Sequence, residues 1–564
     1  MVFKSQLADV EPAAHLKGLV SNLFWTQLDT FARRTLMVDF VSRRHWTGAS
    51  IKTVSAQIAR NLIRRVHLEP NFDCVTFYLH TDHLVIGALG VLFAGGSVCA
   101  GAPEDPENEH LHMLNTMRPA VVFIGRAHLE EMLGVRQKSS GGLSYKLVIM
   151  DDNSLDDDQF NELEKMAARQ EVNIFGFHRH LCGPPPPPSE VAAGAPEPAL
   201  PVQVAPERPA FVLLTSGSTG KPKPVGRSQL NSLYVCHSLD GAQKLWDLNE
   251  SSVLAGHLQL DHGTGTFCLK MMLAKGLKLI IMHGYQYSSM LEAIRTYAIS
   301  DICLGSALLH NFIQAVQADA QFDTSALASV RNYLAVGSPI ASYTLVNSFM
   351  DQFPACSVRQ AFGMTECGFV CVKERELARQ DTCSVGNLLP NLEIKLVHRD
   401  GSGGGGQQEE EEEGEEINEF DRFGELYIRG PTVSSGYLGE HYEEQSRAAF
   451  MPDGYYKTND ICSLSASGQL RVRGRYSEVL CLHDGWKVLP NEIEQVILEH
   501  PLVAEAAVIG IPHPELPTCH APRAYVVPRA GVEADFDSPP VTGGVTGPEN
   551  EWTRACGEQQ LQTV

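Results

Sequence analysis

Between Ile51 and Met150 the chain alternates amphipathic or apolar helical patterns with short apolar strands. This alternation limits it to a mostly parallel sheet covered by helices. IKTVSAQIARNLIRR (51–65) places Ile51, Val54, Ile58 and Leu62 on one helical stripe, with Thr47 or Ser50 as candidate N-caps. CVTFYL (74–79) reads as a buried strand, and PAVVFIG (119–125) and KLVIM (146–150) as two more. LVIGALGVLFAGGSVCAGA (84–102) is long enough to raise the question of a membrane span. Gly95-Gly96 divides it into a helix of about three turns and a short strand near Val98, which is how a buried helix–strand pair of an α/β core reads.

A chain of 564 residues exceeds one simple core, so more than one domain is expected. A net charge of −22 argues against nucleic-acid binding and against a polybasic membrane anchor. The 14 cysteines contain no CxxC pair, and MVFKSQLADVEPAAH lacks a signal-peptide pattern. Reduced thiols in an intracellular compartment follow. HRHLC (178–182) has no second ligand cluster beside it, so a metal site there is not expected. Two low-complexity stretches interrupt the pattern. The proline-rich 183–206 reads as an extended exposed connection, and the Gly/Glu-rich 401–416 as an insertion in a hairpin between NLEIKLVH and GELYIRG. From about Arg475 a small domain begins, with EVLCL (478–482), PNEIEQVILEH (490–500), AEAAVIG (504–510) and RAYVVP (523–528) as strand, helix, strand, strand.

TSGSTGKPKPVG (215–226) directly follows the apolar run AFVLL. It is not a Walker P-loop, because Thr215 stands where that motif has its first glycine and Pro222 follows Lys221. It has the chemistry of a phosphate cradle all the same: glycines that let backbone N–H groups approach, the hydroxyls of Ser216, Ser218 and Thr219, and the charges of Lys221 and Lys223.

TSGSTGKPKP resembles the phosphate-loop signature of the adenylate-forming superfamily, which includes acyl-CoA synthetases, 4-coumarate–CoA ligases and beetle luciferases. Further segments are similar to the family's motifs in the family's order: LQLDHGTG (258–265), VGSPI (336–340), QAFGMTE (360–366), GELYIRGPTVSSGYLG (424–439), YYKTNDIC (455–462) and GRYSEVLCLHDGWKVLPNEIE (474–494). The resemblance spans about 20–530. It implies an α/β fold: a large N-terminal domain of two α/β subdomains plus a distorted β-barrel, then a small α+β C-terminal lid. The division would be 1–474 for the adenylation domain, with insertions at 183–206 and 401–416, then 475–530 for a partial lid and 531–564 for a divergent tail.

The implied reaction activates a carboxylic acid with ATP and Mg²⁺ as an acyl-adenylate and transfers the acyl group to coenzyme A. Thr215, Ser216, Gly217, Ser218, Thr219 and Gly220, with Lys223, would close over the phosphates. Glu366 would hold Mg²⁺ and Thr365 would contact the α-phosphate. Gly337, Ser338 and Pro339, with Gln360, Ala361, Phe362 and Gly363, would form the adenine slot, Phe362 standing where tyrosine is more frequent. Asp460 and Arg475 would reach the ribose, and His262 would line and gate the acyl pocket. Each has a plainer role open to it: His262 as a loop residue, Asp460 as a turn cap, Arg475 as a surface ion pair. Cys367 and Cys371 read as small core residues.

The pattern also breaks. The family's final P-K-T-x-x-G-K segment has no counterpart after Pro528, and 529–564 contains no lysine. Asn459 replaces the glycine of T-G-D, Ser477 stands at the hinge position where Asp or Lys is common, and Glu478–Gly485 is one residue longer than usual. Weak adenylation with nucleotide binding kept is therefore expected. A non-catalytic nucleotide or acyl binder and a luciferase-like oxygenase are the alternatives. The expected location is intracellular, cytoplasmic or peroxisomal, with no peroxisomal S-K-L at the end of this chain.

Overall fold

The computed structural model describes residues 2–68, 75–78, 81–101, 106–139, 143–184, 197–215, 222–241, 243–257, 260, 262–340, 342–379, 384–399, 414–482, 486–498, 500, 502–513, 516, 519–528 and 562–563. The helix expected over 51–65 runs Gly48–Arg64 and opens on a capping box. Thr47 Oγ1 accepts from the Ser50 N–H at 3.2 Å while Ser50 Oγ accepts from the Thr47 N–H at 2.8 Å, so both candidate caps act together. Ile51, Ile58 and Leu62 are fully buried and Val54 packs at the edge of the same core.

The apolar stretch after it folds as a helix, Asp82–Phe93, and a strand, Val98–Ala100, separated at Gly95. Among the described residues no helix is long and apolar enough to cross a membrane. Asp82–Phe93 is apolar on nearly all sides because it is enclosed by protein. One of its neighbours is Gly48–Arg64, and the two come so close that a Cβ on Gly90 would stand 2.5 Å from Ile58 Cγ2.

Two large sheets carry the chain. The first has seven strands in the order Pro224–Ser228, Pro209–Leu214, Val98–Ala100, Val75–Tyr78, Val121–Ile124, Lys146–Ile149 and Ile174–Gly176. All neighbours run parallel except the first pair, the hairpin that flanks the TSGSTGKPK loop. The second sheet has fourteen strands. Its parallel half includes Thr35–Asp39, Lys278–Ile281, Val253–Gly256, Asp301–Gly305 and Asn332–Val336. Ser357–Met364 then serves two partners: its first half pairs parallel with Asn332–Val336, its second half antiparallel with Gly368–Val372. Because one strand belongs to both ladders, the antiparallel strands extend the second sheet, and no pairing closes them into a barrel among the described residues.

The hairpin around the acidic insertion forms as expected, Glu393–Val397 against Gly424–Arg429, with 401–413 outside the described residues. Residues 185–196 of the proline-rich stretch and 529–561 and 564 of the tail also lie outside them. The C-terminal part gives strand Leu480–Cys481, helix Pro490–Leu498 and the hairpin Val503–Pro512/His520–Pro528, around a core of Leu480, Val503, Val508, Ala524 and Val526. HRHLC falls on a single π-helical turn, Phe177–Leu181, with Cys182 as its C-cap: Asp152 accepts from the His178 and Arg179 N–H groups at 2.8 and 2.9 Å, and His180 Nδ1 accepts from the Gly176 N–H at 2.8 Å. Among the described residues no cluster of metal-ligating side chains occurs. Cys367 and Cys371 are fully buried core residues.

Gly90→Ala is expected to push the two helices apart and destabilise the fold by about 1–3 kcal/mol. Ile58→Ala, which removes the Cγ2 methyl nearest to the added Cβ, should recover part of that loss, read as a non-additive term in a double-mutant cycle of thermal unfolding.

Candidate functional site

The strand Pro209–Leu214 hands the chain to Thr215, and Lys223 receives it on the return. The Thr215 N–H donates to the Lys223 carbonyl at 3.0 Å, and the Lys223 N–H donates to Thr215 Oγ1 at 3.2 Å. These two bonds pinch the loop at its base. Ser216, Gly217, Ser218, Thr219, Gly220 and Lys221 lie outside the described residues. The Lys223 ammonium stands 4.4 Å from the centre of the Tyr437 ring.

Glu366 sits in the turn after Ser357–Met364 and is 7% exposed. Tyr437 Oη donates to its Oε1 at 2.9 Å. Among the described residues no lysine or arginine pairs with the carboxylate, and Oε2 has no hydrogen-bond partner. The turn itself is held by Arg227, a fully buried side chain on Pro224–Ser228. Its guanidinium donates to the carbonyls of Thr365 at 3.4 Å, Glu366 at 2.7 Å and Cys367 at 3.2 Å. Burial pushes Arg227 down to about 10, still fully charged at neutral pH. Ser434 reinforces the joint: its N–H donates to the Glu366 carbonyl at 2.8 Å and its hydroxyl to the Gly226 carbonyl at 2.7 Å.

On the opposite wall, Tyr456–Leu464 pairs with Gln469–Arg475 so that Asp460 faces Arg475 across the ladder. Arg475 Nε donates to Asp460 Oδ1 at 3.3 Å. Burial pushes the Asp460 carboxyl up to about 6, against the opposing pull of Arg475 and of the Thr458 hydroxyl. Asn459, the residue in place of a glycine, has φ +65°, the left-handed conformation that asparagine tolerates best after glycine. Its Nδ2 donates to Ser477 Oγ at 2.9 Å, so two of the departures from the family pattern bond to each other across the expected hinge.

Gly337 (φ +87°), Ser338 and Pro339 turn away from the strand Asn332–Val336. Gln360 anchors this turn by donating to the Ser338 carbonyl at 3.4 Å and accepting from Tyr343 at 2.9 Å. Gly363 meets a packing demand, since a Cβ there would lie 2.4 Å from the Gly368 carbonyl oxygen. Ala361 is a buried core residue and Phe362 is partly buried against the same core. His262 is the N-cap of the helix Gly263–Lys275, its Nδ1 accepting from the Thr264 N–H at 3.1 Å. It opens onto the cavity, yet the surrounding protein lowers its pKa by desolvation, which favours the neutral imidazole that this bond needs.

A cavity of about 380 Å³ joins these parts. Of the sequence-predicted residues, Thr215, Lys223, His262, Gly337, Gly363, Thr365, Glu366 and Arg475 line it. Ser338, Pro339, Gln360, Ala361, Phe362 and Asp460 are not on its wall; Asp460 stands behind Asn459 and Arg475, which are. Sequence reasoning missed Arg227, Lys270 and Tyr437, all of which line the cavity. The visible trace of Lys270 was a lone cation inside an otherwise apolar run, FCLKMML, whereas Arg227, close behind Lys221 and Lys223 in KPKPVGRS, carried none.

The family profile of AMP-binding enzymes matches residues 24–438, and that of the AMP-binding enzyme C-terminal domain matches 492–542. The chain is 28% identical over 331 residues to "Probable CoA ligase CCL5" of Humulus lupulus, a match covering 58% of this chain and 55% of that protein. It is 25% identical over 545 residues to the acyl-CoA ligase ppsA of Aspergillus oryzae, covering 91% and 88%. The structure of ATP-bound MatB from Rhodopseudomonas palustris superposes with a TM-score of 0.69 at 19% identity, over 91% of this chain and 90% of that one, a likeness of fold.

Arg227→Met leaves buried carbonyls without donors, and a loss of about 2–4 kcal/mol is expected, read as a lower Tm. Asp460 yields a pH test. Its folded pKa of about 6 exceeds its ordinary 3.8, so the native state holds the extra proton. The resulting stability, about 3 kcal/mol, is present below pH 4 and lost as pH rises through 6. The wild-type Tm should therefore fall relative to that of Asp460→Asn across this window; parallel curves would show that the carboxyl titrates normally.

Proposed function

The chain belongs to the AMP-binding enzyme family, the adenylate-forming, acyl-CoA ligase-like enzymes, and on that premise we propose that it joins a carboxylic acid to the thiol of coenzyme A through an acyl-adenylate. In the first step a carboxylate oxygen attacks the α-phosphorus of ATP, the bond to the β-phosphate oxygen breaks, and pyrophosphate leaves. In the second, the sulfur of coenzyme A attacks the acyl carbonyl, the thiol proton goes to solvent, the acyl–oxygen bond breaks, and AMP leaves. Neither step needs a protein nucleophile. Both need anions neutralised and reactants aligned.

One observation carries the reading: the base of the donor-rich loop, the Thr365–Glu366 turn and the Asn459/Arg475 wall enclose a single cavity. The loop begun at Thr215 and closed at Lys223 would receive the phosphates. Thr365 would donate to the α-phosphate. Glu366 fits a hard divalent cation, because its carboxylate is buried and, among the described residues, meets no cation and is bound only through Oε1. Mg²⁺ held there would neutralise phosphate charge, with the phosphates and water completing its shell. Asp460, ionised above pH 6 and steadied by Arg475, would accept from the ribose hydroxyls. Gly337 and the Gln360–Gly363 strand would flank the adenine, and His262 would close the acyl side.

Residues 529–564 offer no lysine to the carboxylate and α-phosphate. Loss of one such donor costs about 10²–10³ in rate, and adenylation by this chain is proposed to be slowed accordingly. The test is acid-dependent pyrophosphate release over a panel of acids, with ATP binding followed by calorimetry. Expected are measurable ATP affinity, slow release that falls by a further ~10²-fold in Glu366→Gln, and faster release when a lysine-bearing family C-terminal domain replaces 475–564. Absence of ATP binding would defeat the ligase reading; ATP binding without release from any acid would favour a non-catalytic binder.

A further inference from the structure

Lys270 is a buried lysine with no counter-ion among the described residues. It lies on the helix Gly263–Lys275 and is 3% exposed. Gly263, Thr266, Phe267 and Lys270 follow at spacings of three and four, forming one stripe, and all four line the cavity. The Lys270 ammonium stands 5.0 Å from the centre of the Phe211 ring and has no hydrogen bond or ion pair among the described residues. The charged or titratable groups bearing on it are Arg227 and Cys236. Arg227 is itself a cation whose donors are taken by three carbonyls, and burial pushes the Cys236 thiol up to about 12, so neither neutralises it.

Such a side chain is costly. An ammonium removed from water without a partner destabilises the fold, and an apolar residue of the same shape would remove that cost. Burial brings Lys270 down to about 7, a sign of the same strain. The rest of this stripe does not call for charge. Phe267 packs with Phe369 and Trp246 at ring separations of 4.6 and 4.7 Å and closes the cavity wall beside Lys270. A lysine on the cavity wall with no protein partner among the described residues finds its partner in whatever enters.

We propose that Lys270 is an anion subsite at the acyl end of the cavity, and that the acid activated here is a short dicarboxylic acid whose second carboxylate pairs with it. The proposal rests on the ligase reading and names its substrate class. The aromatic wall limits the length of the acid, and the lysine selects against acids whose far end is apolar, because those would leave it unpaired.

The experiment measures pyrophosphate release and, in parallel, calorimetric binding in the presence of ATP. The probes are dicarboxylic acids from malonic to suberic, each set against its monocarboxylic acid of equal length. The variants are Lys270→Met, nearly isosteric and apolar, and Lys270→Arg. The wild type should prefer diacids by about 10- to 100-fold. Lys270→Met should lose that preference while showing a higher Tm without ligand, and Lys270→Arg should keep part of the preference. A wild type that prefers monoacids overturns the subsite. So does a Lys270→Met chain with an unchanged diacid-to-monoacid ratio, or one that weakens ATP binding instead. If no acid releases pyrophosphate, diacid binding that disappears in Lys270→Met upholds the subsite and defeats the ligase reading; no diacid binding at all defeats the subsite.

Discussion

The grip of Arg227 on the Thr365–Cys367 carbonyls is the interaction on which the site depends. Arg227 belongs to the seven-stranded sheet, and the turn it holds follows the one strand that serves both halves of the fourteen-stranded sheet. A fully buried guanidinium is tolerated only when its donors are satisfied, and carbonyl oxygens of a turn are free to do so because they lack ladder partners. The result ties the strand leaving the donor-rich loop to the turn that carries Glu366. Ser434 adds a third segment to the same joint, and Tyr437, three residues on, reaches the Glu366 carboxylate. Loop base, carboxylate and aromatic wall are thus positioned by one compact polar knot.

Across the cavity a different logic applies. Asp460 and Arg475 are cross-strand neighbours, so their pairing follows from register alone. The strained element is Asn459, held at φ +65° beside them. Asparagine can occupy that conformation at modest cost, and its side chain gives what glycine cannot, a hydrogen bond to Ser477. The two substitutions that looked independent along the chain form one contact at the entrance to the C-terminal part. Motion there would have to break it.

Much of this was legible beforehand. The capping box at Thr47, the helix–glycine–strand reading of 84–102 and the hairpin around the acidic insertion rest on local chemistry, which acts within a few residues. Motif order pointed to Thr215, Lys223, Glu366 and Arg475, and the fold brings them to one cavity. Other features were hidden for physical reasons. Arg227 and Lys270 read as ordinary cations until burial is known, because a lysine in an apolar helix is equally a snorkelling surface residue. Among the described residues no pairing closes the expected barrel, and one long strand is shared between two ladders, a matter of pairing that no single segment encodes.

The order of residues by itself determined the α/β alternation, the donor-rich loop behind a strand and the ordered set of motifs, since helix period, strand period and turn chemistry are local properties. Only the tertiary structure decided which charges are satisfied. Arg227 and Lys270 both line the cavity and are both buried, yet one meets three carbonyls and the other meets no hydrogen-bond or ion-pair partner among the described residues. That difference arises from long-range packing, which sets what each side chain finds at its tip.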